Sequence, residues 1–306
     1  MAYQPKDYVL PPGLKYALEG AIALQRPLLL TGEPGTGKTT LADWAAWYLH
    51  DHYRKQGIDF AERPLRFQTK TNSQARDLFY TYDALSHFQA ANLQGKSDAQ
   101  VGDFIELRAL GQAIANSAPQ PDYQQLFRTE IPEKPQGTVV LIDEIDKAPR
   151  DFTNDILDEV DRMRFRLMEH NRTLERNPEV PIVVLMTSNS EKNLPDAFLR
   201  RCAFFHIEFP KADSPVLRQI LQHHLGHPTE ATAAAREQLI DFFYQAREAS
   251  VRKKPATAEL IGWLKLLDLK GYFKEQDAAK RRELELFNLS FLVKTREDLE
   301  AVRKLL

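Results

Sequence analysis

The chain has 306 residues, enough for one large domain or two smaller ones, and its 43% hydrophobic and 27% charged residues are typical of globular proteins. Its 41 Lys and Arg residues nearly balance 43 Asp and Glu residues, so the net charge of −2 excludes a general attraction to nucleic acid or an anionic membrane and leaves only local basic patches. The single cysteine, Cys202, excludes an internal disulfide framework.

The same sequence argues against a secreted or membrane-spanning chain. The first residues, `MAYQPKDYVLPPG`, contain no basic region followed by an apolar stretch, so we expect no signal peptide. No apolar run approaches the about 20 residues that span a bilayer. A single cysteine also suits a reducing compartment, and we therefore expect a soluble, cytoplasmic protein.

Five short apolar runs predict buried strands. They are continuous rather than alternating, which is typical of a parallel sheet covered on both faces. The runs are `PLLLT` (27–31), `PLRFQT` (64–69), `TVVLID` (138–143), `PIVVLMT` (181–187) and `FFHIEF` (204–209). A helix predicted from Thr39 to Tyr53, with Gly57 as its stop, follows the first run. Alternation of strands and helices indicates a doubly wound α/β domain.

Two features modify this simple alternation. About 68 residues separate the second and third runs, far more than one crossover helix needs, so we expect an insertion at about 72–118. Within it, `LFYTYDAL` and `DFIELRAL` fit short strands or broken helix equally well, on either side of the polar tip `NLQGKSDAQ`. From Ser214 onward only helical patterns occur, which predicts a large domain at 1–212 and a small helical domain at 213–306.

The first strand runs directly into a phosphate-binding motif. Residues 32–39, `GEPGTGKT`, match the spacing G-x-x-x-x-G-K-[ST] and lie between an apolar strand and a helix. Glycines let main-chain amides surround phosphate oxygens, the lysine adds a positive charge, and the threonine hydroxyl is a Mg²⁺ ligand. This context favours nucleotide binding, with ATP as the expected nucleotide, over a chance glycine-rich loop. The predicted nucleotide-binding residues here are Gly32, Glu33, Pro34, Gly35, Thr36, Gly37, Lys38, Thr39 and Thr40.

Carboxylates end the third strand, at the sheet edge where ligands of open α/β sheets bind. Asp143 is predicted to hold Mg²⁺ together with Thr39, and Glu144 is predicted to activate the water that attacks the γ-phosphate. The alternative is that these acids lie in a solvated loop and that only Asp143 takes part in binding. Asp146 fits better either a surface position or a charge that supports the site without touching the ligand.

Polar residues after the fourth strand are further candidates. Asn189 follows it, and if this strand lies beside the first, the Asn189 amide would orient the attacking water; the alternative is a turn-forming asparagine. `NLPDAFLRR` predicts a short helix that ends in Arg200 and Arg201. These arginines either complement the helix dipole or act on a neighbouring subunit's γ-phosphate, and Arg201 is the favoured finger.

These motifs resemble those of the AAA+ ATPases, in order and in approximate spacing, over about residues 8–210. `GEPGTGKT`, a strand ending in `DEI`, and `LPDAFLRR` are similar in style to the MoxR-like, dynein-related branch. The resemblance implies sheet order 5-1-4-3-2 and a small helical lid, with ATP between large domain, lid and next subunit. It implies that `DYVLPPGL` (7–14) packs on adenine through Tyr8 and Val9, that the insertion is this branch's helix-2 insert, and that `RFRLMEHNRTLERNPEVP` forms a hairpin.

The resemblance also implies a ring, expected to be hexameric, that remodels a protein client, with a von Willebrand A domain protein as an expected partner. One departure concerns the lid, where the family has an arginine early in a helix. Here `VRKKPATAELIGWL` has none after Pro255, and Arg252, Lys253 or Lys254 would substitute or form a solvated basic turn.

Two other functions fit the sequence less well. The first is a nucleic-acid motor or restriction-type NTPase. The near-neutral insert tip argues against it, while five arginines in `RMRFRLMEHNRTLER` keep it open. The second is a nucleotide-gated scaffold with little turnover, which the presence of Glu144 argues against.

Overall fold

The computed structural model describes residues 4–93, 100–189 and 194–306, so most of the insert tip `NLQGKSDAQ` lies outside the described residues. Contacts divide the chain into two compact units. The sheet unit consists of residues 12–32 and 38–207, and the helical unit consists of residues 4–11, 33–37 and 208–306. The division predicted after residue 212 remains a prediction.

The sheet unit contains all the strands that the structure describes. In chain order they are β1 (Leu28–Gly32), β2 (Asp59–Phe60), β3 (Leu65–Gln68), β4 (Tyr80–Tyr82), β5 (Ile105–Leu107), β6 (Gln136–Asp143), β7 (Arg164–Leu167), β8 (Arg172–Glu175), β9 (Ile182–Ser188) and β10 (Ala203–Ile207). Its helices are α1 (Leu14–Ala23), α2 (Leu41–Arg54), α3 (Ala84–Leu93), α4 (Ala109–Ser117), α5 (Tyr123–Leu126), α6 (Arg150–Asp155), α7 (Leu157–Arg162) and α8 (Asp196–Leu199).

The main sheet is parallel, and its order confirms the prediction. β1 lies between β10 and β9, β9 pairs with β6, and β2 and β3 both pair with β6 at its other edge. The five predicted strands therefore follow the order 5-1-4-3-2. Every residue of β1 and β9 is buried, because helices α1, α2 and α4 pack on the sheet, and this explains the continuous apolar runs.

The insertion combines both structures that its sequence left open. Tyr80–Tyr82 and Ile105–Leu107 pair as antiparallel strands, and helices α3 and α4 begin two residues after each strand. Strands β7 and β8 form the expected hairpin. Buried residues of the insertion, including Ile105 and Leu110, belong to the same core as Val140 of β6, so the base of the insertion is part of the sheet unit's core.

The helical unit contains α9 (Pro215–Leu225), α10 (Glu230–Ala249), α11 (Thr257–Leu269), α12 (Ala278–Leu292) and α13 (Arg296–Arg303). Within residues 208–306, all of which are described, no strand occurs, as predicted. Its core centres on the fully buried side chains of Phe243, Trp263 and Leu289. No helix in the described part of the chain is both long and apolar enough to cross a membrane.

Gly111 tests the packing of the insertion, because a Cβ atom there would lie 2.0 Å from the main-chain oxygen of Phe79. We expect Gly111→Ala to lower the free energy of unfolding by about 2–3 kcal/mol, as overpacking does. Gly20, in α1 of the same unit, provides the matched control, because a Cβ atom added there would have no neighbour within 4 Å.

Gly20→Ala should raise the free energy of unfolding by about 0.5–1 kcal/mol, through helix propensity alone. Urea denaturation followed by circular dichroism measures both. A Gly111→Ala variant as stable as the parent chain would contradict the described contact.

Candidate functional site

Lys38 is held at the end of β1. The residue is 7% exposed, and Nζ donates a hydrogen bond to the main-chain oxygen of Gly32 at 2.7 Å. A buried ammonium group needs such acceptors, because desolvation disfavours the charged form. The bond folds the lysine back along the loop, so the positive charge stays beside the residues that connect Gly32 to Lys38.

The loop at residues 33–37 takes a shape that depends on its glycines. Gly35 and Gly37 have φ angles of 77° and 88°, in the left-handed region that favours glycine. A Cβ on Gly35 would lie 2.8 Å from Cβ of Ala256, and one on Gly37 would lie 3.1 Å from the ring of Tyr8. In the described structure, the main-chain amides of Gly35 and Gly37 donate no hydrogen bond to protein. Free amides on a turn of this kind suit an anion.

Asp143 connects the end of the loop to the sheet. The hydroxyl of Thr39 donates to its carboxylate oxygens at 3.0 and 3.3 Å, and the hydroxyl of Thr187 donates to Oδ1 at 2.5 Å. Parallel pairing of β6 with β9 brings Asp143 and Thr187 to the same sheet edge. Hydroxyl and carboxylate oxygens are the hard ligands that Mg²⁺ requires, so Thr39 and Asp143 fit this ion.

Glu144 follows Asp143 in a left-handed conformation, with φ of 56°. Its amide donates to the Thr187 hydroxyl at 2.8 Å. Its Oε2 accepts hydrogen bonds from Nε2 of Gln68 at 2.8 Å and from Nζ of Lys147 at 2.5 Å. The Glu144 carboxylate raises the pKa of Lys147 through this hydrogen bond, so the lysine stays charged. These contacts fix both the backbone and the carboxylate of Glu144.

The sequence predicts that Asn189 faces the phosphate only if its strand lies beside the first strand. This condition is met, because β9 lies beside β1 and Thr31 pairs with Ser188. The side chain of Asn189 is exposed. Its main-chain amide donates to Oδ1 of Asp146 at 3.3 Å, so Asp146 supports the turn after β9.

The two arginines after α8 differ in their contacts. Arg201 donates from Nε to Oδ2 of Asp161 at 2.7 Å and from Nη1 to the main-chain oxygen of Ala197 at 3.0 Å. Arg200 is exposed, and its guanidinium has no hydrogen bond or ion pair with any described residue. Other residues therefore hold the guanidinium of Arg201, whereas that of Arg200 has no partner among the described residues.

The remaining predicted contacts are distributed along the chain. Tyr8 packs against Gly37, and Val9 follows it as a half-buried residue. The main-chain oxygen of Thr40 accepts hydrogen bonds from the amides of Asp43 and Trp44, so Thr40 is the N-cap of α2. In the basic turn before α11, Arg252 forms an exposed ion pair with Glu297 at 2.6 Å.

Sequence reasoning missed the residues that support the acids. Thr187 stands in the `TSN` sequence, where the pattern indicated only Asn189. Gln68 could have been found from its place at the end of β3, because register pairs it with Asp143. Lys147 lies three residues after Glu144, within the following 3₁₀ turn. No local sequence pattern pointed to Asp161, because its partner Arg201 is 40 residues away.

Comparisons with known proteins give a family match and a similar solved structure. The model of the ATPase family associated with various cellular activities (AAA) matches residues 28–211. No curated protein matches the sequence. Among solved structures, the chain is similar to a point variant of RuvB from Thermotoga maritima, with 14% identity and a TM-score of 0.44, over 94% of this chain and 69% of that one.

The family match covers more than half of the chain and includes `GEPGTGKT`, Asp143, Glu144 and Asn189. The chain therefore belongs to the AAA family of ATPases, as the resemblance implied.

Lys38→Ala tests the loop. Removing the charge held beside Gly32 should weaken ATP binding about 100-fold, which corresponds to the loss of a strong charged contact. Isothermal titration calorimetry with Mg²⁺ and ATP measures the dissociation constant. Lys55, an exposed partner of Asp51 at 2.6 Å, provides the control, and Lys55→Ala should bind as the parent chain does. If the two variants bind ATP with equal affinity, residues 32–39 do not form the phosphate-binding loop.

Proposed function

We propose that this protein hydrolyses ATP and that it belongs to the MoxR-like branch of the AAA+ ATPases. The observation that carries the proposal is the hydrogen-bonded group of Thr39, Asp143, Thr187 and Glu144. It connects the end of the phosphate loop to two adjacent acids at the carboxyl edge of a parallel sheet. A site that only bound nucleotide would not need Glu144 held in this way.

Each part of the site has a chemical task in the proposed reaction. The amides of residues 35–37 and the Lys38 ammonium bind the phosphate oxygens. Glu144 takes the proton of the attacking water, and Gln68 and Lys147 hold its carboxylate in one orientation. Asn189 positions that water through its side chain amide. Thr39 and Asp143 would hold Mg²⁺, which neutralises charge on the β- and γ-phosphates when it is bound.

We further propose that the chain works as a homo-oligomeric ring, expected to be hexameric, in the cytoplasm. The resemblance to the MoxR-like branch supports a protein client and a von Willebrand A domain partner, with residues 1–212 as the large domain, 72–118 as its insert and 213–306 as the lid. Exposed arginines at the end of α8 support the ring, because an arginine finger acts on a neighbour's nucleotide.

A nucleic-acid motor is the alternative, and the contacts of the five arginines weigh against it. Arg162 and Arg164 both pair with Asp158, at 2.8 and 3.5 Å. The other three also have acceptors, as Arg166 contacts Asn171, Arg172 contacts Asp122 and Arg176 contacts Gln25. Arg162, Arg164 and Arg172 are paired with carboxylates, which weakens their attraction to a phosphate backbone, whereas the neutral partners of Arg166 and Arg176 leave those two charges in place.

Glu144→Gln tests the assignment of the base. The variant keeps the size and shape of the side chain, so ATP affinity should stay within about threefold of the parent value while phosphate release falls at least about 100-fold. A phosphate-release assay and calorimetry measure the two quantities. Glu300→Gln, at an exposed pair with Arg296, is the control. Parent-like turnover of Glu144→Gln would remove Glu144 from this role.

Alanine variants of the two arginines test the finger. Arg201→Ala should bind ATP normally and lose at least about tenfold in turnover, because an arginine finger acts only on the transition state. Mixing Arg201→Ala subunits with Lys38→Ala subunits should restore part of the rate. The Arg201→Ala subunits supply an intact nucleotide site, and the Lys38→Ala subunits supply the arginine. If Arg200→Ala loses turnover and Arg201→Ala does not, then Arg200 is the finger and the pair of Arg201 with Asp161 is structural.

A further inference from the structure

The phosphate loop has close neighbours within the helical unit. Residues 33–37 belong to the same compact unit as α9 to α13. Gly35 approaches Ala256, at the beginning of α11, so closely that a methyl group would not fit between them. A change in this part of the helical unit therefore reaches the loop through direct contact.

Arg247, near the end of α10, also reaches the loop. Its Nη2 donates to Oε2 of Glu33 at 2.8 Å, and its Nη1 donates to the main-chain oxygen of Pro255. The guanidinium lies 3.5 Å from the centre of the Phe209 ring, and the residue is only 8% exposed. One buried, planar cation therefore contacts the phosphate loop, the segment before α11 and the ring of Phe209.

Because Glu33 is negatively charged, its contact with Arg247 should affect the binding of an anion to the loop. Glu33 lies in a loop whose free amides and Lys38 would bind an anion, and an unpaired carboxylate there opposes that binding. Its side chain is 46% exposed, whereas the Arg247 side chain is 10% exposed. Arg247 neutralises the carboxylate from the buried side. The rigid fork of a guanidinium over an aromatic ring holds Glu33 in one place, as a flexible ammonium would not.

We propose that Arg247 is a positioning residue of the nucleotide site, which neutralises Glu33 and fixes the loop at residues 33–37 for a nucleoside triphosphate. The inference rests on the proposed ATP binding. It assigns to α10 a direct influence on nucleotide affinity. Arg247 touches no phosphate in this proposal, because it acts only through Glu33.

The test is a charge cycle on the full-length chain, with ATP as the probe and calorimetry at low salt. Arg247→Met keeps the apolar stem and leaves Glu33 negative, so ATP should bind about tenfold more weakly. Glu33→Gln leaves Arg247 positive beside the loop, so ATP should bind up to about threefold more tightly. In the double variant both charges are absent, and the dissociation constant should return to within about threefold of the parent value.

Rescue by the second substitution separates neutralisation of the Glu33 charge from packing against Phe209. If Arg247 only packed against Phe209, the double variant would bind as weakly as Arg247→Met. Arg247→Lys should show an intermediate loss, because a lysine keeps the charge without the planar fork. Arg218→Met is the matched control, as Arg218 pairs with Glu237 within the helical unit at 2.6 Å. It should leave ATP affinity unchanged.

The outcomes are distinguishable from failure of the proposed function. Absence of ATP binding by the parent chain would contradict the function itself. With a parent chain that binds ATP, normal affinity in folded Arg247→Met, or a double variant no better than Arg247→Met, overturns the inference. If Arg247→Met does not fold, weaker binding by Glu33→Gln overturns it, because the proposal requires the opposite sign.

Discussion

The hydrogen bond from the Thr39 hydroxyl to the Asp143 carboxylate joins the two chain segments on which the proposed chemistry depends. Thr39 ends the phosphate loop, and Asp143 ends the strand that carries the acids. The same carboxylate accepts from Thr187, whose hydroxyl in turn receives the amide of Glu144. This chain of hydrogen bonds fixes the distance between Thr39 and Glu144, and it requires the parallel order in which β9 separates β1 from β6.

Other elements contribute one contact each. The end of β3 provides Gln68, the turn after β6 provides Lys147, and the turn after β9 provides Asn189. Within the helical unit, Arg247 contacts Glu33 of the loop. Most of these contacts involve charged groups, so their energies depend on which charges are present, and bound nucleotide would add several negative charges. We therefore expect the contacts of Glu33 and Glu144 to respond most strongly to ligand.

The sequence predicted the sheet and the position of its loop, because both depend on local patterns. Continuous apolar runs indicate buried parallel strands, and the glycine spacing in `GEPGTGKT` indicates the loop. The sheet order came from the family resemblance. Contacts such as Arg201 with Asp161, or Arg247 with Glu33, join residues 40 and 214 positions apart, and no local pattern encodes them. The sequence left the secondary structure of the insertion undecided, because its strands have only three residues each, too few to show a period.

A crystal structure of the Glu144→Gln chain with ATP and Mg²⁺ would test the proposed site more directly than any activity assay. We expect it to show phosphates against the amides of Gly35, Thr36 and Gly37 and beside Lys38, with the metal ion bound near Thr39 and Asp143. A triphosphate bound away from this loop, or a metal ion without either residue near it, would show that the site has been assigned wrongly.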